Sequence, residues 1–216
     1  MGGASSTNVQ SKRSVQDVCG VMMPVYYTTS PVTEIDHKRA NETWDLILDD
    51  KSPLYLEGQK DPAFAAEYGS CIMFFYDTFY KRLFDVHPMC KPMFKSGMKA
   101  QGKALVKIVT LSLSMFNEDE KFDAVLNKLA TVHNERGVKA VEYGIMGETL
   151  IWALSKCLGP TCFTPAVVTA WIRVFCRMLK VMLPLAVAYE LDHGEAQQKR
   201  ISEMQAEMEK NSAKEE

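Results

Sequence analysis

The sequence predicts an all-α fold, with one helical domain over residues 37–192, a flexible N-terminal tail at 1–36 and a charged C-terminal tail at 193–216. Three observations carry this. From about residue 37 onward, apolar side chains recur at steps of three and four, the period of one helix face. The breaks between these stretches carry helix-start chemistry, as at Asp61-Pro62 and Thr164-Pro165. β-branched runs such as LVKIVTLSL (105–113) sit inside a longer, capped segment that favours helix.

The elements follow in order. KRANETWDLILDD (38–50) carries a short apolar stripe at Trp44, Ile47 and Leu48, and KSPLYLEGQK then breaks it. Asp61 as cap and Pro62 at the first helical position open a helix expected to end near FDVHP, holding Phe75, Phe79, Leu83 and Phe84. Pro88 and Pro92 mark a short turn and a corner around Phe94. Ser96 is placed to cap a helix through MKAQGKALVKIVTLSLSMF (98–116). Asn117, with Glu120 three residues on, reads as a capping box opening KFDAVLNKLATVH (121–133). After Gly137 a helix runs to about Cys157. In the last long helix Val167, Trp171, Val174, Phe175, Met178 and Met182 share a stripe, and Pro184 is expected to kink it. Residues 1–36 show no sustained period, and from His193 the chain is polar, charged and helix-prone.

Bulk properties exclude several classes. Net charge is −2, so no basic field invites nucleic acid. The longest apolar run, VMLPLAVAY (181–189), falls far short of the ~20 residues a membrane helix needs. The start, MGGASSTNVQSKRS, has no apolar core of a secretory leader, so a cytoplasmic location is expected. Six cysteines without a CxxC pair read as reduced thiols rather than a disulfide framework, and CLGPTC (157–162) reads as an interhelix turn.

Of the four histidines, His37 adjoins the N-terminal tail, His87 precedes a proline at a helix end, and His193 begins the C-terminal tail. His133 alone continues an apolar helical face, after Leu126, Leu129 and Val132. Two readings fit such a residue. It is either a helix-end histidine bonded to a carbonyl and the helix dipole, or an axial metal or haem ligand.

The surrounding motifs favour the second. LATVHNERGVKAVEYGIMGETLIWAL, with Gly-Val four residues past His133 and Tyr143 ten past it, resembles the proximal segment of globins. FYKRLFDVHPMCKPMF (79–94) resembles that family's distal-helix and corner signature, and QGKALVKIV (101–109) the start of its distal helix. The three arrive in the family's order, and the likeness covers roughly residues 38–192, closest in flavour to bacterial haemoglobins and flavohaemoglobin haem domains. The resemblance implies a globin fold and haem b (iron protoporphyrin IX). It implies His133 as the iron ligand and Phe94 packing on the porphyrin. Tyr80 and Gln101 would face bound gas, Leu105 would lie over the iron, and Val138 and Tyr143 would line the proximal side. His87 matches a family position outside the pocket. The final helix has Ala and Leu where bacterial haemoglobins place a glutamate toward the proximal tyrosine and histidine.

What the resemblance implies for function is reversible binding of O2, with NO and CO as further ligands, and NO dioxygenase activity supported by an external reductase. An outer oxygen carrying partial negative charge accepts hydrogen bonds from a phenol and a primary amide, and CO accepts less well. A second reading is a membrane-associated gas or redox sensor acting through its tails. It draws on Met-Gly-Gly-Ala-Ser-Ser, which matches the N-myristoylation pattern with Gly2 as acceptor. One such chain binds membranes only weakly.

Overall fold

The computed structural model describes residues 15–94 and 97–212, and every regular element among them is helical. In order these are α1 (15–22), α2 (Glu34–Leu48), α3 (Pro53–Gly58), α4 (Pro62–Glu67), α5 (Cys71–Val86), a 3₁₀ turn (Pro88–Met93), α6 (Met98–Ser114), α7 (Asp119–Glu135), α8 (Ala140–Cys162) and α9 (Pro165–Ser212).

Local chemistry accounts for most boundaries. Thr33 and Asp36 form a reciprocal capping box at α2. Asp61 accepts the Ala63 N–H at 2.8 Å, with Pro62 behind it, to start α4. The helix expected from Asp61 to FDVHP is in fact two. Tyr68 turns extended (φ −117, ψ 90), and Ser70 restarts the chain by accepting the Met73 N–H at 3.3 Å. Gly97, left-handed at φ 75, leads into α6, while Ser96 lies outside the described residues. The capping box expected from Asn117 does not form. A backbone turn (Glu118 N–H to the Met115 carbonyl, 3.2 Å) carries the chain one residue further, so Glu118 is the cap and its carbonyl starts α7. α8 continues past Cys157 to Cys162, interrupted where Gly159 (φ 68) absorbs the break ahead of Pro160. α9 runs through Pro184 without ending.

The N-terminal segment departs from the expected tail. Val15, Val18, Met22 and Tyr26 pack against the core, Cys19 is buried in it, and the Tyr26 hydroxyl donates to the Gly144 carbonyl at 2.9 Å. A Cβ on Gly147 would lie 2.0 Å from that hydroxyl, so the glycine is what lets the strap lie on α8. The apolar residues lack a clean period, but each finds a partner across the fold. Residues 1–14 lie outside the description.

α5 packs on α8, while α2, α7 and α8 all pack on α9. At the centre Trp44 and Trp171 meet edge to face at 6.0 Å, with Phe75 5.1 Å from Trp44. Their indole N–H groups donate to Thr110 (2.9 Å) and Thr43 (3.0 Å), so neither ring buries an unpaired donor. Asp36, nearly fully buried, takes Arg173 at 2.6 Å and ties α2 to α9.

Candidate functional site

Beside this core, α5 to α9 and the 3₁₀ turn enclose a cavity of about 360 Å³. Its wall includes all seven residues singled out in the sequence: Tyr80 from α5, Phe94 after the turn, Gln101 and Leu105 from α6, His133 from α7, and Val138 and Tyr143 around the start of α8. Most of the remaining wall is apolar, for example Leu83, Ile108, Met146, Leu150 and Met182.

The His-to-Gly-Val spacing has a geometric cause. α7 ends with Gly137 left-handed at φ 86, its N–H bonded to the Asn134 carbonyl (3.0 Å) and the Val138 N–H bonded to the His133 carbonyl (3.0 Å). This paired closure turns the chain back over the last helical turn, so His133 and Val138 share one wall. The His133 Nδ1–H donates to the Leu129 carbonyl at 2.8 Å, because a carbonyl only accepts, and that leaves the Nε2 lone pair available. Burial holds its pKa below the ordinary histidine value, opposed by the Leu129 bond, so the ring is neutral. The Tyr143 ring lies 6.1 Å from His133, and its buried hydroxyl has no partner among the described residues. Burial, with Glu142 and Glu190 nearby, raises the Tyr143 pKa and keeps the phenol protonated.

On the α5–α6 side, the Tyr80 hydroxyl donates to the Gln101 carbonyl at 3.2 Å, and its ring stands edge-on to Phe94 at 5.3 Å. Burial pushes its pKa up, so it too is a donor. α6 approaches this closely because Gly102 has no side chain, since a Cβ there would sit 2.4 Å from the root of the Tyr76 ring. This sets the register. Gln101 is buried, whereas Met98 and Lys99 are exposed and stand outside the wall.

His87 and Glu142 also belong to the wall, outside the seven residues singled out in the sequence. His87, expected outside the pocket, lines it and holds Glu142 at 2.5 Å. Glu142 is 9% exposed and also accepts the Lys139 N–H at 2.7 Å, so the pair joins the end of α5 to the start of α8. Cys90 beside it has a thiol pKa pushed up to about 12 by burial and then by Glu142. A signal was present: Glu142, Met146 and Leu150 follow the four-residue step of one helix stripe, headed by a carboxylate.

The family model for globin matches residues 77–182, the segment that builds this cavity. The chain belongs to the globin family. This globin is 28% identical over 120 residues to a flavohemoprotein from Rhizobium meliloti, covering 54% of the chain and 29% of that protein. It is 24% identical over 108 residues to a flavohemoprotein from Pseudomonas putida, covering 49% of the chain and 28% of that protein. The match thus spans less than a third of either relative. A solved bacterial globin from Campylobacter jejuni superposes with a TM-score of 0.53 at 21% identity, covering 71% of this chain and 96% of that one, a likeness of fold.

Globins bind gases through haem, and the wall fits that group on three counts. The neutral imidazole leaves Nε2 free for a metal, the lining is mostly apolar, as a flat macrocycle requires, and the Tyr143 hydroxyl is a buried donor without a partner among the described residues.

Proposed function

We propose that this globin holds iron protoporphyrin IX, haem b, between α5, α6, α7 and α8, with His133 as the iron ligand, and that it binds O2 reversibly. The observation that carries the reading is His133 itself, a neutral imidazole in an apolar cavity wall whose Nδ1–H is committed to the Leu129 carbonyl. When bound, haem supplies an iron that takes up a diatomic ligand. Phe94, Leu105 and Val138 exclude water and bear on the ring, while Tyr80 and Gln101 supply the polar groups of the α5–α6 wall. A donor in so dry a site favours a partially charged O2 over CO.

Both relatives are named flavohemoproteins, which supports electron supply from a flavin-containing reductase. With such a partner the same site serves as an NO dioxygenase: NO, O2 and one electron give nitrate. The residues that do this work are those that exclude water and orient the gas. Gly2 is proposed to carry a myristoyl group that gives weak membrane association, and it lies outside the described residues.

The test is an absorption spectrum of purified protein, oxidised, reduced and with CO, on the unaltered chain and on His133→Ala. The unaltered chain is expected to show haem bands that shift with CO, and the variant to lose haem. Full haem occupancy with an unchanged spectrum in His133→Ala overturns the assignment.

A further inference from the structure

α6 carries three lysines, Lys99, Lys103 and Lys107, and no aspartate or glutamate. All three are exposed, and they follow the four-residue step that lines up one helix face. The opposite face of the same helix, through Gln101, Leu105 and Ile108, is cavity wall. None of the three lysines has an ion pair or a side-chain hydrogen bond among the described residues. Elsewhere exposed lysines find carboxylates, as Lys38 does with Glu42 and Lys121 with Glu118. The arrangement weakens the helix that bears it. Like charges four residues apart repel, here twice over. Lys99 stands in the first turn, where the helix dipole is already positive and neither an acidic residue nor a side-chain cap offsets it. A partner that brings negative charge removes both penalties.

We propose that this lysine face of α6 is the docking surface for the electron donor, a flavin-containing reductase that presents an acidic patch. The inference rests on the haem reading above for the electron's destination, while the docking itself needs no haem. Charge selects the sign of the partner, and position selects its kind. A protein seated on Lys99, Lys103 and Lys107 lies one helix away from the cavity, about 10 Å, a short path for an electron through protein. One electron leaves the partner's reduced flavin, and the ferric haem iron that takes it becomes ferrous. Opposite charge on the two faces also raises the rate of encounter before any contact is made. An anionic membrane is the poorer fit. Met98 is the one large apolar side chain that α6 exposes, and a helix that lies on lipid needs a broad apolar face, which α6 turns into the cavity.

Dye-labelled flavodoxin, a small acidic flavin protein, is titrated with the full chain at low ionic strength and followed by fluorescence anisotropy, a readout independent of haem. Reduced flavodoxin is then mixed with the ferric protein by stopped flow. The unaltered chain is expected to bind, with affinity and reduction rate both falling as salt rises. Lys99→Gln, Lys103→Gln and Lys107→Gln together are expected to weaken binding and slow reduction by about tenfold or more at low salt, with the circular dichroism unchanged. Lys99→Arg, Lys103→Arg and Lys107→Arg together keep both. Binding that the glutamine variant retains, or no salt-dependent binding by the unaltered chain, overturns the proposal. So does sedimentation of unacylated protein with phosphatidylserine vesicles that the glutamine variant loses while its flavodoxin binding stays intact, which gives the face to a lipid surface. Charge-dependent flavodoxin binding by a chain without haem bands supports the docking face and defeats the haem assignment instead.

Discussion

Replacing Tyr80 by phenylalanine isolates one hydroxyl. The ring keeps its edge-on contacts with Phe94 (5.3 Å) and Phe79 (5.0 Å), so packing is nearly unchanged. The hydroxyl is not idle without a gas ligand, because it donates to the Gln101 carbonyl at 3.2 Å. That is longer than the usual O–H···O range, so its worth lies near the bottom of the scale, about 0.5 kcal/mol. A well-aligned bond to a charged ligand oxygen is worth about 1.5 kcal/mol. Donating to the gas means giving up Gln101, so the net stabilisation of O2 is about 1 kcal/mol, or roughly fivefold in affinity. In Tyr80→Phe, O2 dissociation followed by stopped-flow mixing with excess CO is expected to speed up by about fivefold. CO dissociation, displaced by NO, changes by less than twofold. Equal factors for O2 and CO would trace the effect to packing. An O2 effect of about thirteenfold or more, the worth of the full 1.5 kcal/mol, would refute the competing bond to Gln101.

The remaining predictions concern the histidine, the helix crossing and the N-terminus. His133→Ala is expected to bring haem content close to zero while the far-ultraviolet circular dichroism stays helical, checked by pyridine haemochrome assay. Because burial holds the His133 pKa below the ordinary 6.5, the folded site resists a proton that the unfolded chain accepts. Its contribution to stability and haem retention is therefore fully present above pH 6.5 and is lost as pH falls from there through the lowered folded value; a haem-release midpoint that does not move with pH between 7 and 5 would contradict this. Gly102→Ala forces a Cβ to within 2.4 Å of the Tyr76 ring root, so α6 must shift. A loss of about 1–3 kcal/mol in urea unfolding is expected, with O2 kinetics altered alongside because Gln101 is the adjacent residue. Protein made in an acylating eukaryotic host is expected to carry one myristoyl adduct by intact mass, absent in Gly2→Ala; an unmodified mass beside an acylated control rejects it.

The sequence by itself determined the helical class and the ligand candidate. Helical periodicity is local, and the apolar face ending at His133 is written in consecutive turns of one helix. The His-Gly-Val spacing was legible for the same reason: it is the hydrogen-bond closure of a single helix end, with Gly137 left-handed and Val138 bonded back to His133. The other six wall residues could be named only through the resemblance to globins, whose motifs this chain carries with their local spacing intact.

What only the tertiary structure decided involves groups brought together from distant segments. Periodicity places a residue on a face without naming what that face meets. The strap around Cys19 and Tyr26 shows no period, because its partners, Gly144 and Phe175, belong to other helices. The register of α6 was fixed by a steric contact between α5 and α6, where Gly102 admits the Tyr76 ring and so buries Gln101 and exposes Met98. His87 enters the cavity wall because Glu142, nearly buried at the start of a different helix, requires a hydrogen-bond partner. Each pairing follows from packing and from the cost of burying an unpaired polar group, and both act across the whole fold.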